Sequence, residues 1–141
     1  MLFRSGCRVP LPWSGTEPPF EFSIAEGAEV EPWLPVQPAA WATHTVEAQA
    51  GDPDSMLELY RRALILRRAE PGFRNEREPL RWLDSSDDVL AFRRGDEVAC
   101  VVNLSADPVA LPPHSSVLLT SSPLTADGLL PADCAAWLRV G

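Results

Sequence analysis

Proline restricts the first third of this 141-residue chain more strongly than any other residue type does. Seven of the 15 prolines fall within the first 38 residues, where they alternate with aromatic side chains. Each proline fixes its own φ angle and biases the residue before it towards extended backbone, which excludes a long helix. The aromatic side chains argue against disorder, because each needs a surface to cover. We therefore predict a long ordered loop over residues 1–52 that lies on a larger body.

The clearest secondary structure after this loop is a helix over about residues 53–70. Leu57, Tyr60 and Leu64 recur at the i, i+3, i+7 spacing of one helix face, and a second apolar stripe runs beside them. The run Glu70-Pro71-Gly72 ends the helix. The broad apolar arc predicts a helix that is packed on two sides, with Tyr60 in the core.

Two different starts of this helix fit the residues before it. Asp52 can cap the helix with Pro53 at the first helical position. Alternatively, Ser55 and Glu58 have the spacing of a capping box about one turn later.

Residues 79–141 alternate between short apolar runs and turn residues, which predicts strands. Arg94-Gly95-Asp96-Glu97 has the composition of a tight hairpin turn. We expect a small antiparallel β-sandwich of five to seven strands, so that the whole chain is an α+β protein. The predicted strands cover residues 80–83, 89–93, 98–104, 117–120 and 135–140.

Charge and composition exclude several classes of function. The formal net charge is −8, and such an acidic chain repels nucleic-acid phosphates and anionic lipids. No apolar run approaches transmembrane length, and the N-terminus lacks the apolar region of a signal peptide. Cys7, Cys100 and Cys134 are widely spaced, so we predict no disulfide framework, no metal site and no cofactor. Cytosolic, reducing conditions fit this cysteine usage best.

Three motifs occur in a fixed order along the first half of the chain. They are Arg8-Val9-Pro10-Leu11-Pro12-Trp13, then Pro32-Trp33-Leu34-Pro35, then the run from Ser55 to Arg67. In this order and spacing the chain resembles the end of the catalytic barrel in α-glucosidases of the α-amylase superfamily (glycoside hydrolase family 13). The run Val101-Val102-Asn103-Leu104-Ser105 resembles part of the β-sandwich domain that closes these enzymes.

The resemblance implies that the chain is the C-terminal part of a longer hydrolase. Residues 1–72 then form the last loop and helix of a (β/α)8 barrel, and residues 79–141 form the closing β-sandwich. Such enzymes cleave α-linked glucosides with retention, using an aspartate nucleophile and a glutamate acid/base about 5 Å apart. Neither His44 nor His114 lies in the Asn-His-Asp element of the family. The resemblance therefore implies no catalytic residue in this chain, which alone is expected to be inactive, and a barrel as its packing partner.

One substrate-binding residue is implied by the first motif. Arg8 matches the family arginine that donates hydrogen bonds to hydroxyls of the non-reducing glucose, a task that suits the fixed fork of a guanidinium. The chain departs from the family nearby. Ser5 stands where relatives commonly have aspartate, and Glu21 replaces the glycine usual before Phe22-Ser23.

Other interpretations of the aromatic and acidic residues stay open. Tryptophans of the proline-rich loop could stack on sugar rings, although burial against a domain face is the more ordinary role. The acidic cluster between the first two predicted strands is better explained as turn chemistry than as a site. The aspartates of that cluster are Asp84, Asp87 and Asp88, and the loop tryptophans are Trp13, Trp33 and Trp41.

A function of a different class is a stand-alone interaction or carbohydrate-binding module built on the β-sandwich. It requires aromatic side chains on an exposed strand face. The strand aromatics are Trp82, Phe92 and Trp137, and the alternation of the strands predicts that they are at least partly buried.

Overall fold

The structure is a computed structural model that describes residues 9–22, 35–74 and 79–141. The chain divides into two compact units, Met1–Glu58 and Leu59–Gly141, and the division falls inside one helix. Arg8 and the Pro32-Trp33-Leu34 part of the second motif lie outside the described residues. The predicted assignment of residues 1–72 to the end of a barrel stays a prediction.

Backbone hydrogen bonds hold together the described part of the first unit. The amides of Val46 and Glu47 donate to the carbonyls of Pro12 (3.0 Å) and Trp13 (2.9 Å), which ties the first motif to helix α1 (Val46–Gln49). The Thr45 hydroxyl caps α1 by accepting from the Ala48 amide at 3.1 Å. A 3-10 helix, Ala39–His44, precedes α1. As predicted, the described residues of this segment, 9–22 and 35–52, contain no long helix, although the two short helical pieces were not foreseen.

Helix α2 (Met56–Ala69) begins at the second of the two predicted starts. The Ser55 hydroxyl accepts from the Glu58 amide at 3.2 Å, while the Glu58 carboxylate accepts from the Gly51 amide at 3.1 Å. This is a capping box whose carboxylate reaches beyond the cap residue. The start at Asp52 is therefore wrong, because the helix begins at Met56 and Ser55 caps the amide of its third residue, Glu58.

The predicted two-sided packing of α2 is wrong, because α2 contains no buried residue. Tyr60, expected in the core, is 65% exposed. One apolar stripe of the helix is half-buried, and it comprises Leu59, Ala63 and Leu66; Leu57, on another face, is half-buried as well. The other apolar side chains are exposed, and they are Met56, Tyr60, Leu64 and Ile65.

The second unit contains five strands, which are β1 (Leu80–Trp82), β2 (Val89–Arg94), β3 (Val98–Asn103), β4 (Ser116–Thr120) and β5 (Cys134–Arg139). They form an antiparallel sheet in the order β1-β2-β3-β5-β4. A hairpin turn at residues 94–97 joins β2 to β3 as predicted, with Gly95 at φ 62°. A register shift between Val117 and Leu119 marks a bulge in the edge strand β4. The α+β class and the antiparallel β-domain are confirmed.

One face of this sheet carries the core of the second unit. Ala91, Val101 and Ala136 lie side by side across β2, β3 and β5, so they share that face. The connection from β3 to β5 covers them as a second layer, in which Val109 and Leu130 form an isolated bridge. The two segments of this connection, before and after the edge strand β4, contain five prolines, which lack the amide that a longer ladder needs; they are at positions 108, 112, 113, 123 and 131.

A buried asparagine holds the covering layer to the sheet. Asn103, at the end of β3, is fully buried. Its Nδ2 donates to the carbonyls of Asp107 (2.9 Å), Leu130 (3.1 Å) and Pro131 (2.9 Å). Its Oδ1 accepts from the Ser105 amide at 3.0 Å. The side chain thereby satisfies backbone groups on both sides of the β3–β5 connection.

Candidate functional site

The predicted substrate ligand, Arg8, lies outside the described residues, but the rest of its motif is anchored. Pro10 and Pro12 are buried. The Pro10 carbonyl accepts a hydrogen bond from Nε2 of Gln37, which is also buried. Trp13, the last residue of the motif, is exposed. The backbone that follows Arg8 is thus held in place while an indole remains accessible.

Two carboxylates in the described part of the first unit accept hydrogen bonds from the turn at residues 14 and 15. Oε2 of Glu47 accepts from the Gly15 amide at 3.1 Å. The Glu21 carboxylate accepts from the Ser14 hydroxyl. Glu21 has a φ of 51°, the left-handed conformation that favours glycine. These contacts give both carboxylates a structural role.

The acidic cluster of the second unit lies in the turn region between two strands, as predicted. Asp84, Asp87 and Asp88 are exposed in the connection between β1 and β2. The Asp88 carbonyl accepts from the Leu104 amide at 2.8 Å, and the Ser85 hydroxyl donates to the Val89 carbonyl at 2.6 Å. Within residues 9–22, 35–74 and 79–141, no group of three or more His, Cys, Asp or Glu side chains could hold a metal ion.

The contacts that the structure records for the two histidines are with residues nearby in the sequence. Nδ1 of His114 lies 2.8 Å from the Pro112 carbonyl. The His44 carbonyl accepts from Nε2 of Gln49 at 2.8 Å, and both histidines are exposed. Neither contact resembles the orientation of an imidazole by a carboxylate that acid–base catalysis needs.

The two described cysteines, Cys100 and Cys134, are free and buried. Burial raises the pKa of the Cys100 thiol from 9.0 to about 11, because the thiolate would lose its solvation. Since the thiolate is the reactive form, Cys100 is an inert core residue.

A row of four aromatic rings crosses the face of the sheet opposite the core. The ring of Phe73 meets Trp137 edge-on at a centroid distance of 4.8 Å. Phe92 lies 5.7 Å from Trp137 on one side and 5.7 Å from Trp82 on the other, again edge to face. Phe92 and Trp137 are half-buried as predicted, but Trp82 is 67% exposed, which corrects the prediction for that residue. The reason is its place in the short edge strand β1, which has one neighbour only.

A groove of about 500 Å³ lies along this aromatic row, between α2 and the sheet. It has the size and the largely apolar lining that are typical of binding clefts. Two guanidinium groups, of Arg67 on α2 and Arg94 on β2, also line it. Its main apolar lining residues are Tyr60, Leu64, Phe73, Leu80, Phe92 and Trp137.

Reasoning from the sequence did not identify this groove. The alternation of β2 places Phe92 on one face of the sheet and Arg93 on the other, and the hairpin register sets Trp82 beside Phe92. These relations could have indicated an aromatic face. No sequence signal indicates that α2 leaves a groove beside that face.

Comparison with known protein sequences gives matches over most of the chain. A family model described as "Domain of unknown function (DUF3459)" matches residues 78–137. The chain is 33% identical over 105 residues to the protein named "Probable alpha-glucosidase" of Rhizobium meliloti, a match that covers 72% of this chain and 17% of that protein. It is 27% identical over 95 residues to "Alpha-glucosidase MAL12" of Saccharomyces cerevisiae, covering 67% of this chain and 16% of that protein. The chain therefore spans about one sixth of the length of these curated relatives.

Solved structures show the same fold. Isomaltulose synthase from Klebsiella sp. LX3 superposes with a TM-score of 0.74 at 21% identity, over 94% of this chain and 25% of that chain. The α-amylase from H. orenii superposes with a TM-score of 0.51 at 23% identity, over 74% of this chain and 25% of that chain. No helix among the described residues is long and apolar enough to span a membrane. The resemblance predicted from the three motifs is confirmed.

Proposed function

We propose that this chain, which resembles the C-terminal part of α-glucosidases of the α-amylase superfamily, acts as that part of a hydrolase that cleaves α-glucosidic bonds with retention. The observation that carries the proposal is the 33% identity over 105 residues to a protein named as an α-glucosidase, of which this chain spans 17%. In this proposal residues 1–72 are the last loop and helix of the barrel. Residues 79–141 are the closing β-domain, and the catalytic carboxylates belong to the barrel.

The exposed apolar side of α2 supports a barrel as the packing partner. Tyr60, Leu64 and Ile65 are each at least half exposed on a helix that has no buried residue. A helix of a soluble protein normally buries an apolar stripe of this kind, and contiguous exposed apolar surface marks an interaction site. In the first unit, Trp13 and Trp41 are exposed as well. We infer that the barrel covers these surfaces in the complete enzyme.

Within this enzyme, we propose that Arg8 binds the substrate. Its guanidinium is suited to hold two sugar hydroxyls through its paired donors, and the bonds between Pro12, Trp13 and α1 support the backbone that follows it. The substrate class is α-linked glucosides. The free thiols of Cys100 and Cys134 support a reducing, cytoplasmic compartment.

A chimaera tests this proposal. The part of the Rhizobium meliloti protein that aligns with this chain is replaced by this chain, and hydrolysis of 4-nitrophenyl α-glucopyranoside is measured. We expect the chimaera to be folded and active, and the isolated 141-residue chain to show no turnover. A chimaera that does not fold or has no activity, or an isolated chain that turns over like a whole enzyme, would contradict the proposal.

The same chimaera tests the role of Arg8. Loss of its charged hydrogen bonds in Arg8→Met is expected to lower kcat/KM by about 10- to 100-fold. Arg4→Met removes the other arginine of residues 1–58 and serves as the matched control, with kcat/KM expected to stay within about two-fold of the parent. Equal kcat/KM values for the two variants would show that Arg8 does not bind the substrate.

The exposure of Trp82 favours a second candidate function, carbohydrate binding by the β-domain itself. An indole that is 67% exposed beside Phe92 can stack on a sugar ring. In this case maltotriose shifts the tryptophan fluorescence of the isolated chain, and Trp82→Ala abolishes the shift. A fluorescence spectrum that maltotriose leaves unchanged at millimolar concentration excludes this second function.

A further inference from the structure

The groove between α2 and the sheet carries positive charge in an acidic chain. The net charge of the chain is −8, yet the charged side chains that line the groove are Arg67 and Arg94, and none of the described lining residues is acidic. The walls beside these guanidinium groups are aromatic rings and leucines. An occupant that complements both properties has an apolar body and a negative charge.

Arg94 has a polar group that the described residues leave without a partner. Its Nε atom is buried and has no hydrogen-bond acceptor among them. A buried donor without an acceptor costs stability, and native structures contain few of them. By contrast, the neighbouring Arg93 donates to the Asp96 carbonyl at 3.4 Å. Arg94 is thus the group in the groove that most needs an acceptor from outside.

We propose that the groove receives an apolar polypeptide segment with one Asp or Glu side chain, whose carboxylate accepts hydrogen bonds from Arg94. This rests on the proposed function, and the segment belongs to the barrel part of the enzyme. A polypeptide fits better than a small molecule because the exposed Trp82, packed edge-on against Phe92 of the groove, extends the apolar surface along the sheet. The relatives also have more than four fifths of their length outside the region that this chain matches.

A matched pair of probes tests the chemistry of the groove on the 141-residue chain. The probes are 1-naphthylacetate and 1-naphthylacetamide, which have nearly the same shape but differ in charge, and their dissociation constants are measured by fluorescence anisotropy. The carboxylate is expected to bind at least about ten-fold more tightly than the amide, which corresponds to the lower end for a hydrogen bond to a charged group. Arg94→Met is expected to abolish this preference without weakening the binding of the amide.

Arg93→Met is the matched control, because it removes the same charge from the next residue, on the opposite face of β2. It is expected to preserve the preference for the carboxylate. A preference that survives in Arg94→Met, or is lost equally in Arg93→Met, overturns the assignment to Arg94. Equal binding of both probes by the unmodified chain overturns it as well.

The chimaera with the Rhizobium meliloti protein tests the source of the carboxylate. With the barrel present, the groove is expected to be filled, so that the naphthylacetate affinity falls at least about ten-fold relative to the isolated chain. An active chimaera that still binds the probe tightly overturns the docking of a barrel segment while preserving the proposed function. An inactive chimaera, combined with Arg94-dependent binding by the isolated chain, counts against the proposed function instead.

Discussion

Glu70, which directly follows α2, and Arg139, the last residue of β5, form a bidentate ion pair. Oε1 of Glu70 accepts from Nη1 of Arg139 at 3.1 Å, and Oε2 accepts from Nη2 at 2.6 Å. The Glu70 side chain is only 4% exposed, whereas that of Arg139 is 44% exposed. The pair is therefore asymmetric, since removal of the arginine leaves a buried carboxylate without its partner.

We expect Arg139→Met to destabilise the protein by about 1–3 kcal/mol, a value reduced from that of a fully buried pair because Arg139 is partly exposed. Arg81→Met is the matched control. The pair of Arg81 with Asp96 spans 3.5 Å and is exposed on both sides, at 59% and 77%, so its loss should cost less than about 0.5 kcal/mol. Urea unfolding measures the free energy of unfolding of both variants. Equal decreases would show that the burial of Glu70 does not affect the contribution of its ion pair.

Gly72 is expected to tolerate no side chain. A Cβ atom at this position would lie 2.6 Å from Cγ2 of Val98, a residue that is fully buried. Gly72→Ala should therefore lower the free energy of unfolding by about 1–3 kcal/mol. In a Val98→Ala background the same change should cost less, because the clashing methyl group is gone. A cost that is unchanged in that background would refute the steric explanation.

The pKa of Cys100 predicts a loss of stability in alkaline solution. The thiol has a pKa of 9.0 when solvated and about 11 when folded, so the unfolded chain loses its proton first. The free energy of unfolding should thus be unaffected by this group below pH 9 and fall between pH 9 and 11, by at most about 3 kcal/mol. Cys100→Ala should remove this part of the pH dependence. Parallel stability curves for the parent and the variant from pH 8 to 11 would contradict the assignment.

Asn103→Asp is expected to destabilise the protein by more than about 2 kcal/mol at pH 7. The new carboxylate would face the three carbonyl oxygens to which Nδ2 of Asn103 now donates. These oxygens disfavour the carboxylate and so raise the pKa of the new acid in the folded state above its unfolded value of about 4. The deficit should therefore narrow as the pH falls from 7 towards about 4, and change no further below it. Ser105→Ala, which deletes one hydroxyl near Asn103, should cost less than about 1.5 kcal/mol and show no such pH dependence.

Glu21→Gly is expected to stabilise the first unit by about 1 kcal/mol. The substitution relieves a non-glycine residue at φ 51° but removes the hydrogen bond from Ser14. Ser14→Ala removes that bond alone and should therefore be neutral or slightly destabilising. Thermal unfolding separates the two effects, and a lower melting temperature for Glu21→Gly would show that the hydrogen bond outweighs the backbone conformation.

The sequence allowed the β-domain to be predicted almost strand by strand, because period-2 patterns and turn residues are local signals. All five predicted strands agree with β1 to β5 within two residues at each end. The start of α2 was ambiguous, since Asp52 and Ser55 are both good caps and only the contacts of Ser55 decide between them.

The predictions of two-sided packing for α2 and of burial for Tyr60 failed for a physical reason. An apolar arc indicates that a helix surface avoids water, but it does not indicate which chain provides the cover. Tyr60 was therefore predicted to be buried, and within this chain it is exposed. The role proposed for Arg94 could not be predicted from the sequence either, because it depends on a groove formed by residues that are far apart in the sequence.

The aromatic row from Phe73 to Trp82 gives the β-domain an intrinsic optical reporter. Rings held edge to face in a fixed asymmetric arrangement produce near-ultraviolet circular dichroism, which disappears when side-chain packing loosens even if the strands persist. Because Phe92 and Trp137 also line the groove, the same spectrum responds to whatever fills it. Tight packing of the sheet and occupancy of its aromatic face can thus be followed in one unlabelled sample.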